Sequence, residues 1–213
     1  MITDERITSY IHSLAGNDSP ICMQIEREAL ADRVPIIRKE MGSFLKTVLA
    51  QKHPKNILEV GAAVGYSSIL MSENIDEDAK ITTIENYDKR IIKARENIKM
   101  AGKENVITLL EGDAGQILKT LSGSYDFIFM DAAKAQYIVI LPEILRLLSS
   151  GGILITDNVL QGGELVQSRF AVCRRDRTIH SRMREYLYEV THNDELVTSV
   201  IPLGDGITFS VKR

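Results

Sequence analysis

NILEVGAAVGYSSILMSENI, residues 56–75, is the stretch from which the architecture can be read. Residues 56–60 form an apolar run of strand length, Gly61 and Gly65 frame a turn, and 67–75 carry apolar residues at helical spacing. A strand passed through a glycine turn into a helix is the first half of a βαβ unit, and the pattern repeats downstream. Strand-like runs lie at 80–85 (KITTIE), 105–113 (NVITLLEGD, a strand and its exit), 125–131 (YDFIFMD) and 153–159 (ILITDNV). Helical segments are expected at 88–102 and 136–152, each ending in glycine. Strands apolar on both faces and separated by helices imply a parallel sheet covered on two sides.

The flanks extend this pattern. An Arg-rich helical stretch is expected over about 166–191, followed by strands at 196–203 and 206–213 joined by the tight turn 204–206 as an antiparallel hairpin. Upstream, residues 3 to about 52 hold three helical stripes: Ile7, Tyr10, Ile11 and Leu14; Ile25, Ala29 and Leu30; Met41, Phe44, Leu45, Val48 and Leu49. Gly16 and Pro35 punctuate them. The expected fold is α/β: a Rossmann-like, doubly wound seven-stranded sheet, five parallel strands plus the hairpin, in one domain spanning 1–213. Within it, 1–52 form a helical cap and 53–213 the core. The cap carries more apolar surface than its size requires, which makes a homodimer an expectation.

Composition narrows the function classes. The 213 residues are 44% hydrophobic and 26% charged, which suits one globular core. No apolar run nears membrane-helix length, and the acidic, polar start is unlike a signal peptide. Cys22 and Cys173 lack metal spacing and read as structural thiols of a reduced, cytoplasmic protein. The four histidines, at 12, 53, 180 and 192, form no i, i+4 pair, which argues against a His-rich zinc site. With a net charge of −3, any nucleic-acid contact must come from a local patch.

In open parallel sheets, ligands bind beyond the carboxyl ends of the strands, so the residues there are the candidates. The first strand leads into Gly61 and Gly65, spaced G-x-x-x-G rather than as a dinucleotide fingerprint. The pair alone requires only a tight turn. The second strand ends at Glu85, placed to hold ribose hydroxyls or to cap a helix. After the third, Asp113 can accept from an adenine amino group while the N–H of Ala114 donates to a ring nitrogen. The fourth ends in FIFMDAAKAQY (127–137), and the fifth carries Asp157 and Asn158. Asp131 alone could be a helix N-cap, with Lys134 an exposed charge. Two carboxylates and an amide at adjacent strand ends instead suit a hard divalent cation, Mg²⁺ or Mn²⁺.

Together ILEVGAAVGYSS, TIE, GDA, DAAKAQY and ITDNV resemble the cation-dependent O-methyltransferases of the catechol and caffeoyl-coenzyme A type, over nearly the whole chain. The resemblance implies S-adenosylmethionine as cofactor and a divalent metal. By position, Gly61 and Ser67 would serve the methionine part of the cofactor, Glu85 the ribose, Asp113 and Ala114 the adenine, and Ile37 a lid, with Glu59 and Asp131 also at the cofactor site. Asp131, Asp157 and Asn158 would hold the metal, and Lys134 would be the base or a charge that screens Asp131. Within the family, VPI (34–36), ITDNVLQGG (155–163), the Arg-rich segment and IPLGDGITFS (201–210) resemble a bacterial branch that methylates 5-hydroxyuridine in tRNA.

The acceptor is the open part of this reading. Residues 169–184 contain six Arg against one Asp. Such a run is either a solvated helix face or a patch for RNA phosphates, with Arg174, Arg175, Arg177 and Arg182 as candidates. A 5-hydroxyuridine presents a 5-OH beside its 4-carbonyl, the two-oxygen chelate that a catechol also offers. The expected reaction is conversion of tRNA 5-hydroxyuridine, in the anticodon region, to 5-methoxyuridine. A small catechol-like or caffeoyl-CoA-like phenol is the alternative substrate, and a non-catalytic nucleotide-binding protein the alternative of another class.

Overall fold

The computed structural model describes residues 4–213; residues 1–3, where the expected cap begins, lie outside the described residues. Seven strands form one sheet: β1 (Asn56–Val60), β2 (Lys80–Glu85), β3 (Ile107–Glu111), β4 (Tyr125–Met130), β5 (Leu148–Thr156), β6 (Leu196–Ile201) and β7 (Ile207–Lys212), in the order β3-β2-β1-β4-β5-β7-β6. The first five are parallel, and β7 pairs antiparallel with β5 and β6, as the alternation and the short turn predict. The order reverses between β1 and β4, and that switch point opens a crevice at the strands' carboxyl ends.

Side-chain alternation along the strands divides the core into two layers. Ile57, Phe127, Phe129, Ile153 and Ile155 pack on one face beneath α2 (Pro20–Ala31), α3 (Lys39–Lys52) and α4 (Tyr66–Ser72). Leu58, Val60, Ile128, Met130 and Leu154 pack on the other beneath α6 (Ala114–Thr120), α7 (Tyr137–Leu147) and α8 (Arg177–His192). Helix α5 (Asp88–Met100) buries Ile91, Ala94 and Ile98 between β2 and β3 in sequence. Local chemistry sets the helix ends. Ser19 accepts from the Cys22 N–H at 3.2 Å with Pro20 in the first turn of α2, and His53 ends α3 in a left-handed conformation. The stripe Ile7, Tyr10, Ile11 and Leu14 on α1 (Glu5–Leu14) is largely exposed.

Three details depart from the sequence reading. Residues 148–152 are not the end of a helix: α7 stops at Leu147, Leu148 pairs with Tyr125, and the register then shifts before Ile153 meets Phe127. The glycines at 151 and 152 therefore belong to an irregular strand rather than to a helix cap. Helix α6 escaped the sequence reading because seven residues are too few to show an apolar period; Asp113 caps it by accepting from Gln116 N–H at 3.1 Å. The Arg-rich segment is helical only from Arg174, as a short 3₁₀ turn (Arg174–Asp176) leading into α8. The six arginines consequently do not lie along one helix face.

Candidate active site

Strand register brings the distant motifs to one level. Val60 pairs with Ile84 on one side and Met130 on the other, and Met130 pairs with Thr156. The next residues in each chain are Gly61, Glu85, Asp131 and Asp157, so these four emerge together at the crevice. Backbone bonds continue the alignment past the strand ends: Gly61 N–H to Ile84 O at 3.0 Å, Asp131 N–H to Val60 O at 2.9 Å, and Asp157 N–H to Met130 O at 2.9 Å. Above them lies a cleft of about 500 Å³, lined by Gly61, Glu85, Ala114, Asp131, Asp157 and Asn158 from the strand ends and by Ile37 and Arg38 from the loop before α3.

Gly61 has φ +108°, and a Cβ there would run into the backbone carbonyl of Asp131, so only glycine allows β1 and β4 to diverge this closely. Glu85 is held by three main-chain donors. Its Oε2 accepts from Ala63 N–H at 2.8 Å, and its Oε1 from Asn86 and Tyr87 N–H at 2.9 and 3.0 Å. The carboxylate thus fixes the glycine turn to the start of α5 while lining the cleft. Its helix-side donors, Asn86 and Tyr87 N–H, lie ahead of α5 rather than in its first turn, so it braces the approach to the helix instead of capping it.

The acids at the centre sit in an unfavourable field. Asp131 Oδ1 accepts from Asn158 Nδ2 at 3.0 Å, and Asp157 Oδ1 accepts from Asn158 N–H at 2.6 Å. Burial raises the Asp131 carboxyl above its ordinary value, with Asn158, Lys134 and Arg90 pulling it back. Burial, then the neighbouring Asp131, push Asp157 up to about 7, and Asp205 adds to the effect. Asn158 adopts φ +61°, a conformation asparagine tolerates, and this turns its amide towards Asp131. Asp131 caps no helix: the 3₁₀ turn Lys134–Gln136 has no side-chain cap bond.

Two carboxyls raised by burial, Asp157 also by the charge of Asp131, beside an amide, fit a hard dication, which would offset the cost of burying them. No group of three or more His, Cys, Asp or Glu suited to a metal occurs among the described residues. The donors here are two acids and an amide, which leaves coordination positions for water and substrate oxygens.

Other expected residues lie elsewhere. Glu59 is fully buried beneath the turn and outside the cleft lining; its Oε2 accepts from the hydroxyls of Ser68 and of Thr83, the latter at 2.5 Å, and burial raises its pKa. Ser67 is also buried and directs its hydroxyl to Glu59. Both support the turn from below, because Glu59 sits two residues deeper in β1 than Gly61. Asp113 lies just off the lining, between Gly112 and Ala114, and accepts from Gln136 Nε2 at 3.4 Å as well as capping α6. Lys134 also lies off the lining and acts on Asp131 through its charge. Among the RNA candidates, Arg174 and Arg175 are exposed. Arg177 and Arg182 direct guanidinium N–H groups to backbone carbonyls, Arg182 to Ala135 O at 3.0 Å.

The sequence reading missed Arg38, Arg90 and Asp205. Arg38 Nη2 donates to Asp205 Oδ2 at 3.0 Å, tying the loop before α3 to the hairpin turn. Leu160 N–H bonds Asp205 O at 2.9 Å, and Val159 N–H bonds Gly206 O at 2.9 Å, which attach the Asp157–Asn158 loop to the same turn. The motif containing Asp205 was visible, but only as a turn. Arg90 lines the cleft, half-buried and 5.7 Å from the Tyr87 ring, with no carboxylate ion-pair partner among the described residues.

With this geometry in view, the comparisons are decisive. The O-methyltransferase family matches residues 13–213. The chain belongs to this family. It is 31% identical over 207 residues to caffeoyl-CoA O-methyltransferase 2 of Populus trichocarpa, covering 89% of this chain and 81% of that one. It is 30% identical over 168 residues to a catechol O-methyltransferase of Niastella koreensis, covering 76% of each. A Podospora anserina methyltransferase solved with S-adenosylhomocysteine (SAH) bound superposes with a TM-score of 0.89 at 26% identity, covering 98% of this chain and 94% of that one. Among the described residues, this O-methyltransferase has no helix long and apolar enough to cross a membrane.

Proposed function

We propose that this O-methyltransferase binds S-adenosylmethionine in the cleft and methylates a hydroxyl of a vicinal oxygen pair, with 5-hydroxyuridine of tRNA as acceptor and 5-methoxyuridine as product. The observation that supports the chemistry is the row Gly61, Glu85, Asp131, Asp157 at neighbouring strand ends, read as one acid for the ribose and two for the cation. Asp131, Asp157 and the amide oxygen of Asn158 are the residues that would hold Mg²⁺ or Mn²⁺. When bound, that cation lowers the pKa of an acceptor hydroxyl and offsets the charge of its oxygen. The oxygen bonds the methyl carbon as the sulfonium S–C bond breaks and SAH leaves; Lys134 would take the hydroxyl proton as its free amine, becoming the ammonium whose charge faces Asp131. Glu85 and the glycine turn orient the donor, and Ile37 covers it.

The exposed Arg174 and Arg175 support the tRNA acceptor, as does the set of branch motifs. The names of the relatives favour the second reading, a small catechol or a CoA-linked phenol. One experiment separates them: methyl transfer to an anticodon stem-loop carrying 5-hydroxyuridine, to catechol and to caffeoyl-CoA, with Mg²⁺ and after EDTA. Metal-dependent transfer with kcat/KM at least about a hundredfold higher on the RNA is expected, a gap of ~2.7 kcal/mol. Equal or faster transfer to a phenol overturns the RNA acceptor, and full activity in EDTA overturns the metal. Substituting Arg174 and Arg175 together with Gln should raise KM for the RNA and flatten its salt dependence by about two counterions. An unchanged salt slope would return both residues to a solvated surface.

Arg90 is assigned to the carboxylate of the cofactor, since it brings to the cleft a guanidinium that has no ion-pair partner among the described residues. Arg90→Gln is expected to weaken SAH roughly tenfold or more, the loss of one charge-assisted contact. Methylthioadenosine lacks the carboxylate, so its binding should change little. Equal losses for the two ligands in calorimetry would remove the assignment.

A further inference from the structure

We propose that Phe170, braced by Arg169 and Arg177, is a stacking platform for a nucleobase flanking the target nucleoside. This rests on the RNA reading above and names where a second base is held. Phenylalanine is among the residues most often buried, yet Phe170 is 76% exposed. Val166, in the same segment, is 84% exposed. The guanidinium carbons of Arg169 and Arg177 lie 5.9 and 5.7 Å from the ring centroid. Arg177 also donates to Val172 O and Phe170 O, both at 3.4 Å, so the backbone around the ring folds back onto the guanidinium. The ring is therefore flanked by two guanidinium groups while most of its surface stays open to solvent.

Charge selects the occupant. The segment 169–184 has six Arg and one Asp in a protein of net charge −3. A cation-flanked aromatic suits a base, whose π-face stacks on the ring while its phosphates meet the arginines. An apolar peptide would gain nothing from the surrounding positive charge. The position also fits. The segment follows the Asp157–Asn158 loop after the 3₁₀ turn Gln161–Val166 and runs into α8, whose Arg182 is bonded to Ala135 O in the loop after β4. Arg177 and Arg182 are separated by roughly 7.5 Å along the helix. The ring thus belongs to the segment that Arg182 ties to the loop carrying the cleft-lining residues Ala133 and Gln136, the side assigned to the neighbour of a base everted into the cleft.

The test is Phe170→Ala on the full chain, assayed with the 5-hydroxyuridine stem-loop and with the free nucleoside 5-hydroxyuridine. Phe170→Ala is expected to raise KM for the stem-loop roughly tenfold. It should leave the salt slope unchanged and nucleoside kcat/KM within about twofold. Phe170→Tyr should restore stem-loop KM, because it keeps the stacking face. If wild type prefers the stem-loop but Phe170→Ala leaves its KM unchanged, the platform falls and the RNA reading stands. If wild type shows no preference for the stem-loop over the nucleoside or catechol, both fall. If Phe170→Ala changes the oligomeric mass and not the RNA KM, the exposed ring is a contact between copies of the chain and the platform is wrong.

Discussion

Asp157→Asn is expected to lower methyl transfer at least about a thousandfold while SAH affinity stays within about twofold. The acid belongs to the proposed cation site and not to the ribose or adenine positions, and a bound cation supplies several kcal/mol of charge stabilisation, about a decade of rate per 1.4 kcal/mol. The same variant should be more stable than wild type without metal at pH 8. Burial and Asp131 push Asp157 up to about 7 in the folded chain, from an ordinary value of 3.8. Between those values the folded chain keeps a proton that the unfolded chain has lost, so stability falls as pH rises. The deficit is complete above about pH 7 and of order 4 kcal/mol. Asparagine carries no such penalty, so the advantage of the variant should fade towards pH 4. Denaturant unfolding with chelator at pH 8 and pH 4.5 measures it. Equal stability at pH 8 would refute the electrostatic account, and retained activity would refute the metal role. In wild type the cation would offset this cost, a case of stability yielded to function.

Glu85→Ala is expected to reduce SAH affinity by about a hundredfold and to lower Tm by several degrees. The carboxylate accepts from Ala63, Asn86 and Tyr87 N–H. Its removal leaves those donors to the solvent of the cleft and loosens the joint between the glycine turn and α5. One unsatisfied donor costs about 1–3 kcal/mol when buried, and in a chain of this size each 1 kcal/mol moves Tm by about 2–4 °C. The ribose diol additionally loses a pair of charge-assisted bonds, worth roughly 1.5–3 kcal/mol each. Calorimetry with SAH below the variant's Tm separates the two roles. A lowered Tm with SAH affinity within threefold of wild type would leave Glu85 a purely structural acid.

Much of this molecule was legible one segment at a time. Strand and helix periods are local, so the five parallel strands, the hairpin and most helices could be read from the chain, and a strand-end acid such as Glu85 or Asp131 could be marked by its place after an apolar run. The local reading failed where the signal was short or ambiguous. Seven residues of α6 show too little periodicity, and Ser149 to Gly152 look like a helix cap although Leu148 is already paired with Tyr125.

The functional assignment of individual residues depended on contacts that no local pattern encodes. Register, set by cross-strand bonds over the whole sheet, brings Gly61, Glu85, Asp131 and Asp157 to one edge. The same pairing and the sharp exit at Gly61 leave Glu59 beneath the turn, although it stands only two residues away in sequence. Arg38 reaches Asp205 across 167 positions. The amino-acid sequence by itself determined the type of fold, the family and the chemistry available at each strand end, because these follow from periodicity and residue type. Only the tertiary structure decided which of those groups face the same cleft and which serve as its scaffold, because that depends on hydrogen-bond register between segments that meet only in the folded chain.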